Sequence, residues 1–203
     1  MTLDQAIISR RSGRRFGDSS LPAAELASVL FLGNGVRERS GEGLDERIYQ
    51  RNVPNSGNLG SVEIYPIILN VAAIEPGIYH YDSVAHDLAQ LRAGQFRTWL
   101  EEMVLFQLEF ANAAVALALT SAVGRLQSKY GLRGYRLGLI DVGHVAENIY
   151  LTATAFNLQV CATAGFVDAE LQLALEIDGL DVSPMLVVLL GQNGDITGDK
   201  AND

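Results

Sequence analysis

The chain has 203 residues, and its 15 lysines and arginines against 24 aspartates and glutamates give a net charge of −9. Because such a field repels polyanions, we exclude nucleic acid and anionic membranes as partners. With 48% hydrophobic residues the chain is not disordered, and its length suits one domain, predicted over residues 1–191 with a polar, disordered tail at 192–203.

Two features indicate a cytoplasmic protein. Cys161 is the only cysteine, which excludes an intramolecular disulfide and suits a reducing compartment. Asp4 and the arginines at 10 and 11 leave no apolar core for a signal peptide, and NAAVALALTSAVG is shorter than the roughly 18 residues of a membrane span.

In chain order, the hydrophobic pattern alternates between helical and strand periods, which predicts a mixed α+β fold. Helices are predicted over residues 2–9, 22–32, 95–110, 137–158 and from about 168. Strands are predicted over residues 62–71, in a hairpin at 76–91, and in buried segments at 113–121, 158–166 and 184–191. The long polar stretch at 36–51 is a candidate lid.

The stretch LQSKYGLRGYR, residues 126–136, is basic in an otherwise acidic chain. A continuous helix from Arg125 would align that residue with Lys129, Arg133 and Arg136 on one face. It would also place Gly131 and Gly134 inside the helix, at about 1 kcal/mol each. We therefore predict a turn before the long helix. The turn contains Lys129, and the only other lysine is Lys200 in the tail. Lysine, unlike arginine, can lose its proton when desolvated, so the turn is either a solvated surface or part of a reaction centre.

Two further segments suit a ligand. SRRSGRRF, residues 9–16, concentrates four arginines that fit a single phosphate, the alternative being ion pairs with the 37–51 loop. VPNSGNLGS, residues 53–61, combines glycines with Asn55, Ser56 and Asn58, so it is either a plain loop or a turn whose backbone approaches a planar ligand.

No metal site is predicted. His144 has Asp141 and Asn148 on the same helical face, but three scattered histidines do not supply a ligand set, so a structural role in the core or at an interface is favoured. Cys161 lies in a buried strand pattern without a motif partner, which argues against nucleophilic catalysis.

Five motifs taken in order, RRSGRRF, VPNSGNLGS, PGIYHYD, SKYGLRGYRLGLIDVGHVAENIYL and CATAGF, resemble the SagB-type dehydrogenases. These are the azoline-oxidising branch of the FMN-dependent nitroreductase family. The resemblance implies a mixed or antiparallel sheet flanked by helices and a homodimer that holds two FMN molecules at its interface. It makes the long helix with His144 the dimer helix.

The resemblance also implies site residues. Arg10, Arg11, Ser12 and Arg14 would bind the FMN phosphate and ribityl chain. The ribityl and pyrimidine edge would meet Ser56, Gly57 and Asn58, together with Asn55, which replaces the serine common in the family. Ala164 and Gly165 would present their backbone near N5, the reactive nitrogen of the flavin ring.

In the azoline branch a Lys-Tyr pair is implicated in catalysis, and Lys129-Tyr130 stands at that position. Aromatising a thiazoline or oxazoline removes a hydride, taken by FMN, and a proton, which needs a base. The resemblance implies Lys129 as that base, with a pKa lowered by neighbouring arginines and by burial, and with Tyr130 as its partner. The alternative is that Tyr130 is the base and Lys129 its partner.

Three functions stay open. The first is dehydrogenation of an azoline in a peptide or peptide-derived product, with a cyclodehydratase complex or peptide synthetase as partner. The second is an NAD(P)H-dependent nitroreductase with small-molecule substrates, and the third is a non-catalytic flavin-binding subunit of a peptide-modifying complex.

Overall fold

The computed structural model describes residues 1–40, 48–104 and 112–194. The described helices follow the apolar periodicity of the sequence and are α1 (Leu3–Ser9), α2 (Ala23–Asn34), α3 (Arg97–Met103), α4 (Val123–Tyr130), α5 (Arg133–Ala155) and α6 (Asp168–Leu175). None of the helices within these ranges combines the length and apolar character needed to cross a bilayer.

The described strands are β1 (Val36–Ser40), β2 (Ile48–Arg51), β3 (Val62–Ile68), β4 (Gly77–Asp82), β5 (Asp87–Ala93), β6 (Val115–Ser121), β7 (Gln159–Thr163) and β8 (Ser183–Gly191). Strands β1 and β2 form a separate antiparallel hairpin. The others form a six-stranded sheet in the order β5-β4-β3-β6-β8-β7, with antiparallel pairing between all neighbours.

Helices cover both faces of the sheet. Strand β6 alternates between them, with Leu117 and Leu119 packing toward α2 and α5, while Ala116 and Ala118 pack toward α3 and α6. This period-two alternation buries the whole strand. The predicted α+β class, with an antiparallel sheet flanked by helices, is confirmed.

The predicted turn in residues 126–136 is present but shorter than expected. Helix α4 continues to Tyr130, Gly131 adopts φ +59°, and α5 begins at Arg133. Gly134 lies inside α5. A Cβ at this position would be only 2.7 Å from the backbone nitrogen of Gln127, so the close packing of α4 against α5 requires glycine here. The missing side chain lets the two helices approach closely, which offsets the helical cost of glycine.

Helix α3 and strand β7 also differ from the predictions. Helix α3 spans only Arg97–Met103, and residues 105–110 of the predicted helix lie outside the described part. Strand β7 was predicted to be buried, but Gln159, Ala162 and Thr163 are half-exposed. The reason is that β7 forms an edge of the sheet rather than its centre.

The start of the predicted tail is hydrogen-bonded. Gly17 donates its backbone N–H to Gln192, and Gly194 donates to Arg15, at 2.9 and 3.1 Å. These bonds tie residues 192–194 to the arginine segment. Residues 195–203 lie outside the described ranges, as do residues 41–47 at the centre of the candidate lid.

Candidate functional site

The turn at residues 55–60 has an unusual backbone. Gly57, Asn58 and Gly60 adopt positive φ angles of 62°, 56° and 56°, which β-carbons disfavour except in asparagine and glycine. The Asn55 side chain closes the turn, accepting from the Gly60 N–H at 2.9 Å and donating to Asn58 Oδ1 at 3.4 Å. Asn55 therefore shapes the turn from within.

A buried carboxylate anchors the turn to α5. Asp141 is 2% exposed and accepts from the Ser56 N–H at 3.0 Å, the Ser56 hydroxyl at 2.9 Å and the Ser61 hydroxyl at 2.7 Å. Hydrogen bonds from several donors are what makes a buried carboxylate tolerable. Both Ser56 donors are thus directed into the protein, while Gly57 and Asn58 are exposed.

Two arginines support the far end of the turn. Arg125 donates to the carbonyls of Leu59 and Gly60 at 3.3 and 2.6 Å. Arg51 donates to the Asn34 carbonyl at 3.0 Å and to Ser83 Oγ at 2.8 Å, and a Cβ on Gly60 would lie 2.8 Å from its Nη2. Burial lowers the pKa of Arg51, although an arginine remains charged at any physiological pH.

The predicted catalytic pair lies against this turn. A Cβ on Gly57 would overlap Tyr130 Oη and lie 3.0 Å from Lys129 Nζ. The Lys129 Nζ is 5.4 Å from the centroid of the Tyr130 ring. The fold thus brings together residues more than 70 positions apart in the sequence. The expected burial of Lys129 is wrong for the single chain, in which Lys129 is exposed and Tyr130 half-buried.

The arginine segment is attached to Tyr150 of α5. Tyr150 Oη accepts from the Ala162 N–H at 2.7 Å and is 3.2 Å from Ser12 Oγ, while the Arg10 guanidinium lies 5.6 Å from the Tyr150 ring centroid. Gly13 donates its N–H to the Val160 carbonyl at 2.9 Å. These contacts place the segment beside β7, which leads into residues 164 and 165.

The remaining predicted residues lie near these contacts. Arg11 donates to the carbonyls of Ile8 and Arg10 at 3.0 and 2.8 Å, and Arg14 and Ala164 are exposed. Gly165 donates its N–H to Thr163 Oγ1 at 3.0 Å. The alternative of ion pairs with the 37–51 loop involves residues 41–47, which lie outside the described ranges.

The predicted residues form two groups rather than one. Asp141 holds the turn with Lys129 and Tyr130, and Tyr150 holds the arginine segment with β7. The two anchors are nine residues apart on α5, which corresponds to about 13 Å along the helix axis. One chain therefore presents two separated half-sites.

Metal and cysteine chemistry find no support in the described ranges. They contain no cluster of three or more histidine, cysteine, aspartate or glutamate side chains arranged to hold a metal ion. His144 is exposed on α5, so it is not a core histidine in the single chain, and the interface role stays a prediction. Cys161 is 1% exposed inside β7.

Sequence reasoning missed the anchors of both half-sites. Asp141 was noted only as a neighbour of His144, and Tyr150 and Arg125 were given no role. A detectable signal existed for Asp141: it occupies a buried position of an otherwise amphipathic helix, where an unpaired aspartate is rarely tolerated.

The contact between His80 of β4 and Glu63 of β3 gives a testable pH dependence of stability. A hydrogen bond with Glu63, at 3.3 Å, raises the pKa of His80, and partial burial opposes it. Because the folded pKa is the higher one, the stabilisation is complete below the unfolded value of about 6.5 and disappears as pH rises through the folded pKa.

We expect His80→Gln to lower the free energy of unfolding by roughly a few tenths of a kcal/mol more at about pH 5.5 than at about pH 8.5, the difference being small because partly exposed pairs are screened. The ring contact of His80 with Tyr65, at 5.0 Å between centroids, is lost at both pH values and adds the same cost to each. Urea unfolding of both proteins across this range measures the difference. A difference independent of pH would contradict the assignment.

The sequence profile of the Nitroreductase family matches residues 7–192. The chain belongs to the Nitroreductase family. Within this family, protein MJ1384 of Methanocaldococcus jannaschii, named as a nitroreductase, is 32% identical over 190 residues, covering 94% of this chain and 90% of MJ1384. The trifolitoxin operon protein TfxC of Rhizobium leguminosarum bv. trifolii is 22% identical, covering 91% of this chain and 54% of TfxC.

Solved structures of nitroreductase-fold proteins superpose on the chain. A protein of Anabaena variabilis named as a nitroreductase is 28% identical with a TM-score of 0.79, covering 94% of this chain and 38% of that one. The Escherichia coli microcin synthetase McbBCD complex, solved with truncated pro-MccB17 bound, matches at 21% identity and TM-score 0.77, covering 89% of this chain and 68% of that one. This nitroreductase-family chain thus spans about half of TfxC and less of the Anabaena protein.

A protein of Desulfovibrio desulfuricans named as a nitroreductase was solved in complex with FMN. It superposes with a TM-score of 0.65 at 15% identity, covering 100% of this chain and 92% of that one. At this level of identity the likeness concerns the fold alone.

Proposed function

We propose that the protein is an FMN-dependent oxidoreductase that dehydrogenates thiazoline or oxazoline rings of a peptide or peptide-derived product. The observation that carries the proposal is the contact of Lys129 and Tyr130 with Gly57. This contact places a potential base beside the turn that the family resemblance assigns to the flavin.

The residues present fit FMN. Four arginines in residues 10–15 supply the charge-assisted donors that a phosphate requires. Exposed Gly57 and Asn58, with left-handed backbone, let the chain approach a planar ring. In the proposal Arg10, Arg11, Ser12 and Arg14 hold the phosphate end, Gly57 and Asn58 contact the ribityl and ring, and Ala164 and Gly165 contribute backbone. Ser56, whose donors bind Asp141, and Asn55 shape the turn.

Bound FMN supplies the hydride acceptor. The chain must then remove the proton from the adjacent carbon, and Lys129, with Tyr130 in contact, is the candidate base. An ammonium cannot accept a proton, so this role requires Lys129, which is exposed in the single chain, to be covered by substrate or by a second subunit. If Tyr130 is the base, Lys129 stabilises its phenolate.

We propose a homodimer with two FMN molecules between the subunits. Helix α5 exposes an apolar face that includes Tyr135, Leu139 and Ile140, at 53%, 45% and 46% exposure, and Leu132 at 92% lies just before it. Apolar surface of this kind marks a contact with another molecule. The two separated half-sites of one chain would be completed by those of its partner.

The similarity to TfxC and to the McbBCD complex supports a peptide substrate and a partner such as a cyclodehydratase or a peptide synthetase. The single cysteine supports a cytoplasmic location. A second candidate, an NAD(P)H-dependent nitroreductase, is favoured by MJ1384, which is named as a nitroreductase and is 32% identical.

Purified protein loaded with FMN tests the proposal. We expect anaerobic addition of a thiazoline-containing peptide to bleach the flavin and to convert the ring to a thiazole, detected by mass spectrometry as loss of two hydrogens. Bleaching by NAD(P)H followed by turnover of nitroaromatics, without azoline oxidation, would identify the second candidate. Failure to bind FMN would contradict both.

A further inference from the structure

The buried carboxylate of Asp141 has no assigned role in the reaction. From its contacts we infer that Asp141 is a positioning residue, which holds the turn at 55–60 in the conformation that receives the flavin and contacts Lys129 and Tyr130. This inference rests on the proposed function for the identity of the ligand, whereas the control of the turn itself does not.

The donor geometry suits a carboxylate at position 141. Ser56 N–H is 3.0 Å from both carboxylate oxygens, and the two hydroxyls of Ser56 and Ser61 approach one oxygen each at 2.9 and 2.7 Å. A side-chain amide could accept through its oxygen, but its NH2 group would then face a serine hydroxyl, which would have to change from donor to acceptor. An aspartate therefore accepts from all three donors without rearrangement, whereas an asparagine does not.

Asp141 determines which groups of the turn face outward. With its N–H and hydroxyl both bound to the helix, Ser56 is turned inward, and the next two residues, Gly57 and Asn58, are exposed in left-handed conformations. On its other side Gly57 is in contact with Tyr130 and Lys129. The turn is thus held between α5 and the end of α4, and Asp141 supplies the hydrogen bonds that attach it to α5.

Because Asp141 lies on the rigid 23-residue helix α5, the turn is positioned relative to the core and not only by its own bonds. Asn55 closes the turn internally but does not attach it to another element. Loss of Asp141 should therefore leave a closed turn that Arg125 of α4 still holds at Leu59 and Gly60, while the Ser56 end of the turn moves relative to Lys129.

The experiment compares FMN affinity, by flavin fluorescence quenching, with hydrogen exchange of residues 55–60 in the apoprotein. We expect Asp141→Ala to weaken FMN binding at least about tenfold and to accelerate exchange of the turn. Asp141→Asn keeps the shape and part of the acceptor capacity, so it should restore part of the affinity. Both variants are examined in the full chain.

One control separates positioning from stability. Asn34→Ala removes a buried amide that donates to the Val62 carbonyl at 2.9 Å and makes no contact with Asp141. It should lower the melting temperature while changing FMN affinity by less than about twofold.

Wild-type affinity in Asp141→Ala overturns the inference. If Asp141→Ala does not fold, Asp141→Asn decides, and an FMN affinity and exchange rate equal to those of Asn34→Ala overturn it. If the wild type binds no FMN, the proposed function fails, and exchange of residues 55–60 still decides the role of Asp141, since unchanged exchange contradicts it.

Discussion

Lys129→Ala should bind FMN and yet fail to dehydrogenate an azoline. The amine lies against the Gly57 turn but is itself exposed, so its removal leaves no buried cavity and leaves the proposed flavin contacts of the turn in place. Loss of a general base typically lowers the rate about 10²–10⁴-fold. We expect this decrease in kcat, measured by single-turnover bleaching of the flavin, with FMN affinity within roughly threefold of wild type.

Lys200→Ala is the matched control, because it removes the only other lysine and makes the same change in net charge. It should turn over like the wild type. Tyr130→Phe separates the two orders of assignment, since it should reproduce the Lys129→Ala defect only if the phenol takes part in proton transfer. Full turnover by Lys129→Ala would remove lysine from the mechanism.

Gly57→Ala should lose both the flavin and the arrangement of the catalytic pair. A β-carbon at φ +62° costs about 1–2 kcal/mol. This Cβ would also overlap Tyr130 Oη and lie 3.0 Å from Lys129 Nζ, so either the turn or the pair must move. We expect a lower melting temperature and FMN binding weakened by at least about tenfold in fluorescence titrations.

Gly94→Ala is the control for backbone strain alone. Gly94 also has a positive φ, of 134°, and a Cβ there would meet only Phe96, at 3.9 Å. This variant should be destabilised while binding FMN normally. Equal FMN affinity in Gly57→Ala and the wild type would show that the turn does not contact the flavin.

Local patterns predicted most of the fold. The buried apolar run of β6, the hairpin of β4 and β5 and the start of α6 at Asp168 all follow from residues adjacent in the sequence. The start of α5 did not, because Gly134 lowers helix propensity while its close approach to Gln127 depends on tertiary packing. Lys129 and Tyr130 were predicted from a resemblance, and the structure adds their contact with Gly57.

The anchors of the site depend on contacts distant in sequence. Asp141 binds Ser56 and Ser61, which are 85 and 80 positions away, and Tyr150 meets Ser12 across 138 positions. No periodicity encodes such pairings. A buried aspartate predicts only that donors must exist, and their identity follows from the sheet order that places the turn beside α5.

The nine-residue separation of Asp141 and Tyr150 on α5 constrains the length of this helix more than its composition. Each residue turns the helix by about 100° and advances it by about 1.5 Å. One inserted or deleted residue between the two anchors would therefore rotate one half-site about the helix axis relative to the other. Substitutions at exposed positions of the same segment, such as Glu147, leave this spacing intact. The spacing of the two anchors therefore tolerates substitutions at the exposed positions between them but not insertions or deletions.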